Sequence, residues 1–119
     1  MEILNIKSTL KTPTVTFDNE GLLYIGGRSI HEHPEKFYGE IIDVIDKVKE
    51  NCKLQITLDY EYFNTGAAKQ ILKLLRKADG FSASVVWKYE EGDDDMEHAG
   101  IDYQDIMKNM HFVLIEKEE

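Results

Sequence analysis

The sequence predicts an α/β fold, a mixed β-sheet in which an N-terminal hairpin precedes alternating helices and parallel strands. From residue 34 onward a segment with helical spacing of its apolar residues is followed by a strand-like segment, and this order occurs three times. Such alternation favours parallel neighbouring strands joined by right-handed crossovers. Because the 119 residues contain no Ser/Gly-rich linker and no internal repeat, we expect a single STAS-like domain over residues 1–119.

Composition and charge limit the function classes. Hydrophobic residues make up 42% of the chain and aromatic residues 10%, which is enough for one core and too much for a disordered chain. The net charge of −9 argues against nucleic acid and anionic membranes as partners and favours a basic partner surface. The single cysteine, Cys52, cannot form an internal disulfide, and no apolar run approaches the roughly 20 residues that span a bilayer. We therefore expect a cytoplasmic protein.

The first half of the chain predicts a hairpin and one helix. Val15 and Phe17 alternate with polar residues, and a four-residue connection separates them from the apolar segment 22–25, which predicts a hairpin. Gly26-Gly27 is expected to close the second strand. The spacing from Pro34 to Asn51 is helical, and proline suits the first turn of a helix.

The second half predicts two strand–helix units and a last strand. Strict alternation over 54–62 is the most regular strand pattern in the chain. Helical spacing follows over 67–78, with Asp79-Gly80 as a stop, and a strand follows over 83–89. The remaining elements are a helix that starts at Asp93 and carries Met96, Ala99, Tyr103, Ile106, Met107 and Met110 on its apolar face, and a final strand over 112–115.

The junction Phe63-Asn64-Thr65-Gly66 lies between the most regular strand and the next helix. Functional residues in such sheets collect beyond the carboxyl ends of strands. Asn64 or Thr65 can cap the helix by accepting from backbone N–H groups, which contributes about 1 kcal/mol. A phosphate on Thr65 would suit the same positive helix end. Its charge is expected to fall beside Asp59 and Glu61, so that binding would be lost through repulsion or a clash at the partner surface.

The sequence motifs that would indicate a metal site or a catalytic site are incomplete in this chain. His31 and His33 alternate on an extended segment and His98 could add a ligand, but neither Cys-x-x-Cys nor His-Glu-x-x-His accompanies them. The run Asp93-Asp94-Asp95 lacks the spacing of a calcium loop and suits the start of a helix. Cys52 has no basic activator nearby, and no phosphate-binding glycine loop is present. We therefore expect no metal, no cofactor and no catalytic residue.

Several sequence blocks resemble one family over nearly the whole chain. These blocks are Gly27-Arg28-Ser29-Ile30, Phe37-Tyr38, Leu58-Asp59-Tyr60-Glu61-Tyr62-Phe63-Asn64-Thr65, Trp87-Lys88-Tyr89-Glu90, and Asp94-Asp95-Met96 through Ala99-Gly100. They are similar to the bacterial SiaC-type regulatory phosphoproteins, and the run Glu-Tyr-Phe-Asn-Thr that ends at Thr65 is the most specific of them.

The resemblance implies a fold related to STAS domains and to anti-sigma factor antagonists, with one hydroxyl residue reversibly phosphorylated at a strand-to-helix junction. Thr65 occupies the matching position, and Asn64, Gly66, Phe63 and Lys69 are the expected partner-binding residues. In the family a kinase with a GHKL-type ATP-binding fold phosphorylates the threonine, and a PP2C-like phosphatase reverses the reaction. The unmodified protein binds and activates a diguanylate cyclase. The resemblance thus implies a non-enzymatic partner-switching protein of cyclic di-GMP signalling and biofilm regulation.

Two positions depart from the family pattern. Gly66-Ala67-Ala68 follows the threonine where members often carry serines, so Thr65 is the only hydroxyl acceptor nearby. The segment Ser29-Ile30-His31-Glu32-His33 stands where the family commonly reads Ser-Ile-Pro-Glu-Asn, which favours a capping region over a metal site. Two other functions stay open: an anti-sigma factor antagonist that sequesters a kinase-type anti-sigma factor, and a small metal-dependent enzyme using His31, His33 and His98.

Overall fold

The computed structural model describes residues 2–48, 53–79 and 83–118. In these ranges three strands come first, and from residue 34 onward three helices alternate with three further strands, as predicted. The elements are β1 (Glu2–Ile6), β2 (Thr14–Asp18), β3 (Leu22–Ser29), α1 (Pro34–Val48), β4 (Gln55–Phe63), α2 (Thr65–Asp79), β5 (Ser84–Glu90), α3 (Asp94–Ile106) and β6 (His111–Lys117). The predicted helix end at Asn51, the stop at Gly80 and Cys52 lie outside the described residues. No described helix is long and apolar enough to cross a membrane.

The strands form one six-stranded sheet in the order β1-β2-β3-β4-β5-β6. The first three strands pair antiparallel and β3 to β6 pair parallel, which confirms the predicted mixed sheet with an N-terminal hairpin. The sequence pattern does not predict β1, which pairs at the edge. Each parallel connection steps one strand in the same direction, so right-handed crossovers place the three helices on one face. On that face α1 lies beside α2, and α3 packs on the last three strands.

Strand β3 is longer than the sequence predicts. Gly26-Gly27 does not close it, because pairing with β4 continues to Ser29 with one irregularity between Gly27 and Arg28. The phenol of Tyr24 lies directly over Gly26, where a Cβ atom would overlap it, and Gly27 has a φ of +109°. The glycine pair therefore does not end the strand, and the extra residue at the irregularity is Glu61 on β4, between the partners Tyr60 and Tyr62. The extension carries Ser29 into the core.

Helix α3 is shorter than the sequence predicts. Asp93 caps its start by accepting from the backbone N–H of Met96 at 3.1 Å, as the acidic run indicated. The helix ends at Ile106, with Met107 as its C-cap residue and Met110 in the loop beyond. Met107 is buried nonetheless, because the chain turns at this point toward β6 and packs its side chain against the core. Helical spacing could not distinguish this loop contact from another helical turn.

Trp87 on β5 is the centre of the core and is 0% exposed. The ring centroids of Tyr60, Phe63, Tyr103 and Phe112 lie 5.4 to 6.5 Å from the Trp87 ring. The indole Nε1 donates to the backbone carbonyl of Met96 on α3 at 3.0 Å. A Cβ atom on Gly100 would lie 2.5 Å from Trp87 Cδ1. Helix α3 can therefore approach β5 this closely because residue 100 has no side chain.

The crossovers leave the opposite face of the sheet without a helix in the described ranges. A depression of about 520 Å³ lies there, lined in part by Thr16, Tyr24 and Thr57. Asp59 on this face accepts from Lys117 Nζ at 2.6 Å and from the Tyr24 hydroxyl at 3.0 Å. Burial, and then the charge of Asp59, raises the pKa of Tyr24 to about 12. Lys117 thus joins β6 to β4 across the uncovered side of β5.

Candidate functional site

Asn64 lies between β4 and α2 and ties both to the loop after β3. Its Oδ1 accepts from the backbone N–H of Ala67 at 2.9 Å, the usual bond of an N-cap residue. Its Nδ2 donates to the backbone carbonyl of His31 at 3.1 Å. Its backbone N–H donates to the carbonyl of Ser29 at 3.0 Å. These bonds fix the start of α2 on segment 29–31.

Thr65 is the first residue of α2 and is exposed. Because Asn64 provides the capping oxygen, the Thr65 hydroxyl is not needed as a cap, and it forms no hydrogen bond to any described residue. The backbone N–H groups of Thr65 and Gly66 lie in the first turn, where a helix offers no acceptor and its dipole is positive. Of the two capping alternatives, Asn64 is therefore the cap, and the Thr65 hydroxyl lies free at a positive helix end.

A buried chain of hydroxyl groups lies next to this helix start. Ser29 Oγ is 2.7 Å from the Tyr38 hydroxyl, which is 2.9 Å from the Tyr60 hydroxyl, and burial raises the pKa of both phenols. Ser29 Oγ is also 3.1 Å from Nδ1 of His31, the pairing of a hydroxyl with a base that activated nucleophiles use. Ser29 is 0% exposed, however, so no substrate reaches it and the pair is structural.

His31 supports the segment before α1. Its ring packs against Phe37 with centroids 4.6 Å apart, burial lowers its pKa, and its Nε2 has no hydrogen-bond partner in the described ranges. His33 and His98 are exposed. The described residues contain no group of three or more His, Cys, Asp or Glu side chains that could hold a metal ion. The structure therefore does not bring the three candidate histidines together.

Phe63 and Tyr62 end β4 beside the start of α3. Phe63 is half-buried and packs edge-on against Trp87, with ring centroids 6.1 Å apart, whereas Tyr62 is 52% exposed. Both line a groove of about 210 Å³. The acidic side chains of the groove are Glu61, Asp93 and Asp95. Phe63 thus faces a surface between β4 and α3 that is separate from the exposed side of α2.

The other expected partner-binding residues surround Thr65. Lys69 is exposed one turn further along α2. Gly66 lies close to Pro34, since a Cβ atom at residue 66 would be 3.5 Å from Pro34 Cγ, so the first turns of α1 and α2 are in contact. The structure therefore gathers the capping residue, Thr65, Gly66 and Lys69 at one helix start and assigns Phe63 to the neighbouring groove.

The expectation that a phosphate on Thr65 would fall beside Asp59 is wrong. Asp59 points to the uncovered face of the sheet, where Lys117 binds it, whereas the right-handed crossover from β4 to β5 places α2 on the other face. Neighbouring residues of a strand point to opposite faces, so a short distance in sequence does not mean a short distance between side chains. Glu61 is exposed and lines the groove beside α3.

Ser29 and His31 support the site, and the sequence pattern did not identify them as supports. They lie more than 30 positions before Asn64 and meet it only because β3 pairs in parallel with β4, with Ser29 opposite Phe63. The signal that could have found them is the block Gly27-Arg28-Ser29-Ile30, of which only Gly27 has a role in the hairpin that the sequence predicts.

Comparisons with known proteins agree with this fold. The family model for "SiaC family regulatory phosphoprotein" matches residues 6–117. A chain from the crystal structure of the diguanylate cyclase SiaD in complex with its activator SiaC, from Pseudomonas aeruginosa, has a TM-score of 0.88 at 21% identity, covering 96% of this chain and 99% of that chain. No curated protein matches the sequence.

Two further similar structures are of SiaC. SiaC of Pseudomonas aeruginosa gives a TM-score of 0.81 at 20% identity over 97% of this chain and 99% of that chain. Apo-SiaC from the same organism gives 0.78 at 24% identity over 99% of each chain. At these identities the structures show the shared fold, and the family match, which runs from the end of β1 to the end of β6, includes every residue of the site. The chain therefore belongs to the SiaC family of regulatory phosphoproteins.

Proposed function

We propose that this chain is a cytoplasmic, non-enzymatic binding switch controlled by phosphorylation of Thr65. A cognate GHKL-type kinase adds the phosphate and a PP2C-like phosphatase removes it. The unmodified form binds and regulates a diguanylate cyclase through the start of α2, with Asn64, Gly66 and Lys69 around Thr65. Phe63 contributes from the adjoining groove.

The observation that supports this proposal is that Asn64, and not Thr65, caps α2. Asn64 caps α2, so the exposed Thr65 hydroxyl can be modified without removing a bond that holds the fold. A phosphate there would meet the positive end of the helix and the first-turn N–H groups. Both states of the switch would then be compatible with the same folded domain.

The choice of a cyclase as target rests on the family. The related SiaC from Pseudomonas aeruginosa is described as the activator of the diguanylate cyclase SiaD. An anti-sigma factor target would use the same fold, and the identity of the captured partner separates the two functions.

Phosphate transfer tests the acceptor residue. Purified cognate kinase and ATP should phosphorylate wild type and Thr65→Ser, and should leave Thr65→Ala unmodified by mass spectrometry. Thr9→Ala, which removes another exposed threonine side chain, is the matched control and should be phosphorylated as wild type is. Equal phosphate on wild type and Thr65→Ala would end the assignment.

Partner capture tests the output. Immobilised wild type and Thr65→Ala should both recover a diguanylate cyclase with a GGDEF domain from a lysate of the source organism, and wild type phosphorylated on Thr65 should not. Recovery of only a kinase that also holds a sigma factor would contradict the cyclase target and support the anti-sigma antagonist.

A further inference from the structure

Helix α2 is the basic element of an acidic protein. It carries four basic residues, Lys69, Lys73, Arg76 and Lys77, against one acidic residue, Asp79. The whole chain has a net charge of −9, and α3 carries five acidic residues and no Lys or Arg. Positive charge is therefore concentrated on the helix that begins with the candidate phosphorylation site.

Three of these basic side chains form one stripe with Thr65. At 3.6 residues per turn, Thr65, Lys69, Lys73 and Arg76 lie within about 80° of one another around the helix axis. All four are exposed. We call Lys69, Lys73 and Arg76 the basic face. It continues from Thr65 along roughly 16 Å of the helix.

The basic face has no acidic partner within the described part of the chain. Lys77 differs, because its Nζ lies 3.0 Å from Asp46 Oδ1 on α1. No described carboxylate lies within ion-pair distance of Lys69, Lys73 or Arg76. These three charges are thus available to an acidic surface of another molecule, although the charge of the whole chain favours basic partners.

We infer that the basic face docks an acidic segment of the partner protein, and that a phosphate on Thr65 ends docking by pairing with Lys69 and cancelling much of the charge of this face. The inference rests on the proposed function and names the chemistry of its partner. A phosphate adds a charge of about −1.5 to −2 at pH 7, against three positive charges on the face. An acid placed four residues before a lysine is the favourable orientation for an ion pair on a helix.

This mechanism differs from repulsion by the chain's own carboxylates. Asp59 is bound by Lys117 on the opposite face of the sheet and cannot oppose the phosphate directly. The change that phosphorylation makes is therefore a loss of attraction for an acidic partner, and it needs no movement of α2.

The first test measures the ion pair between the Thr65 phosphate and Lys69 in the absence of a partner protein. Phosphothreonine is placed at position 65 during translation, and the phosphate is titrated by ³¹P NMR. Its titration midpoint should rise by about 0.3 pH unit in Lys69→Met relative to the protein with Lys69. Lys53→Met, which removes an exposed lysine just before β4 and away from the start of α2, should leave the midpoint unchanged. Identical midpoints in the Lys69→Met protein and its parent would overturn the pairing.

The second test measures how tightly each variant binds the cyclase that the wild-type protein captures. Lys69→Glu/Lys73→Glu should weaken its binding by about tenfold or more and remove most of the salt dependence. Lys47→Glu/Lys53→Glu reverses two exposed lysines between the end of α1 and the start of β4, and it is the control with the same net charge. Circular dichroism should show that both variants are folded, and Lys69→Gln/Lys73→Gln should lose less affinity than the reversal. Equal losses in the two charge-reversal pairs would overturn the basic face as the docking surface.

Two outcomes separate this inference from the proposed function. If wild type captures no cyclase, the proposed function fails together with the docking surface, and the phosphate titration still reports whether Lys69 pairs with position 65. If the α2 reversal instead changes the oligomeric state of the chain alone, measured by analytical ultracentrifugation, a second copy occupies the face and the acidic partner is wrong.

Discussion

The side-chain amide of Asn64 donates to the backbone carbonyl of His31, 33 positions earlier, at 3.1 Å. The other end of the same amide accepts from the N–H of Ala67 at 2.9 Å. One side chain therefore starts α2 and holds that start against the loop between β3 and α1. The exposed Thr65 is positioned by its neighbour and takes no part in the packing itself.

Removing this amide should cost more than an ordinary cap. Asn64→Ala loses the N-cap bond and leaves the His31 carbonyl without its donor, so we expect about 2 kcal/mol lower unfolding free energy in urea titrations. Asn64→Asp keeps the capping acceptor and should lose about half as much. Asn5→Ala, at an exposed position, is the control and should unfold as wild type does. An unchanged urea midpoint for Asn64→Ala would contradict this role.

Gly100 and Gly39 should respond oppositely to alanine. A Cβ atom at Gly100 would meet Trp87 Cδ1 at 2.5 Å, so Gly100→Ala should destabilise by about 1–3 kcal/mol and change the tryptophan fluorescence. Gly39 lies inside α1 with nothing within 4 Å of its added Cβ atom, so Gly39→Ala should stabilise by about 0.5–1 kcal/mol. Thermal unfolding of both variants measures the two effects. Equal shifts in the same direction would contradict the close packing of α3 on Trp87.

The half-buried His31 should make the fold sensitive to mild acid. Burial lowers its pKa below the value of about 6.5 in the unfolded chain, so in this range the unfolded chain binds more protons. The contribution of neutral His31 is complete above about pH 6.5 and is lost as the pH falls below it. Unfolding free energies between about pH 5 and 8 should therefore fall less with acidification in His31→Gln than in wild type.

His33→Gln is the control for this titration, because His33 is exposed on the same segment. It should keep the wild-type pH dependence, including the part that comes from the many carboxylates. The same dependence in all three proteins would show that His31 is not a source of acid sensitivity.

Lys117 should stabilise the last strand through Asp59. Its Nζ lies 2.6 Å from Asp59 Oδ1, and the two side chains are 35% and 17% exposed, so the pair is partly screened by solvent. Lys117→Met should lower the unfolding free energy by about 1 kcal/mol or less, with a smaller difference at high salt. Lys108→Met, at an exposed position in the loop before β6, should have no effect. A difference that persists unchanged at high salt would contradict an electrostatic origin.

Sequence patterns predicted β4 and α2 well because both are encoded locally. Along β4 the buried Ile56, Leu58 and Tyr60 alternate with less buried residues, as a strand with one packed face requires. The boundary at Gly26-Gly27 was less predictable, because whether a strand ends at a glycine pair depends on the strand beside it. The paired strand β4 decides this, and it lies about 30 residues later in the chain.

In the functional site, too, some features could be predicted from the local sequence and others depend on tertiary contacts. The run from Phe63 to Gly66 marked the junction, and its resemblance to a family pointed to Thr65. Which residue caps the helix, and which face Asp59 occupies, are decided by contacts between distant segments, so local spacing could not assign them.

The sequence by itself determined the order of the elements after the hairpin, the family and the position of the exposed threonine, because periodicity and short motifs record local structure. Only the tertiary structure decided that the carbonyls of Ser29 and His31 accept hydrogen bonds from Asn64, and that Lys117 pairs with Asp59 on the uncovered face of the sheet. It also decided that the basic face beside Thr65 has no acidic partner among the described residues. The physical reason is that parallel pairing and right-handed crossovers bring together residues that are far apart in sequence, and these contacts decide which charged side chains are paired.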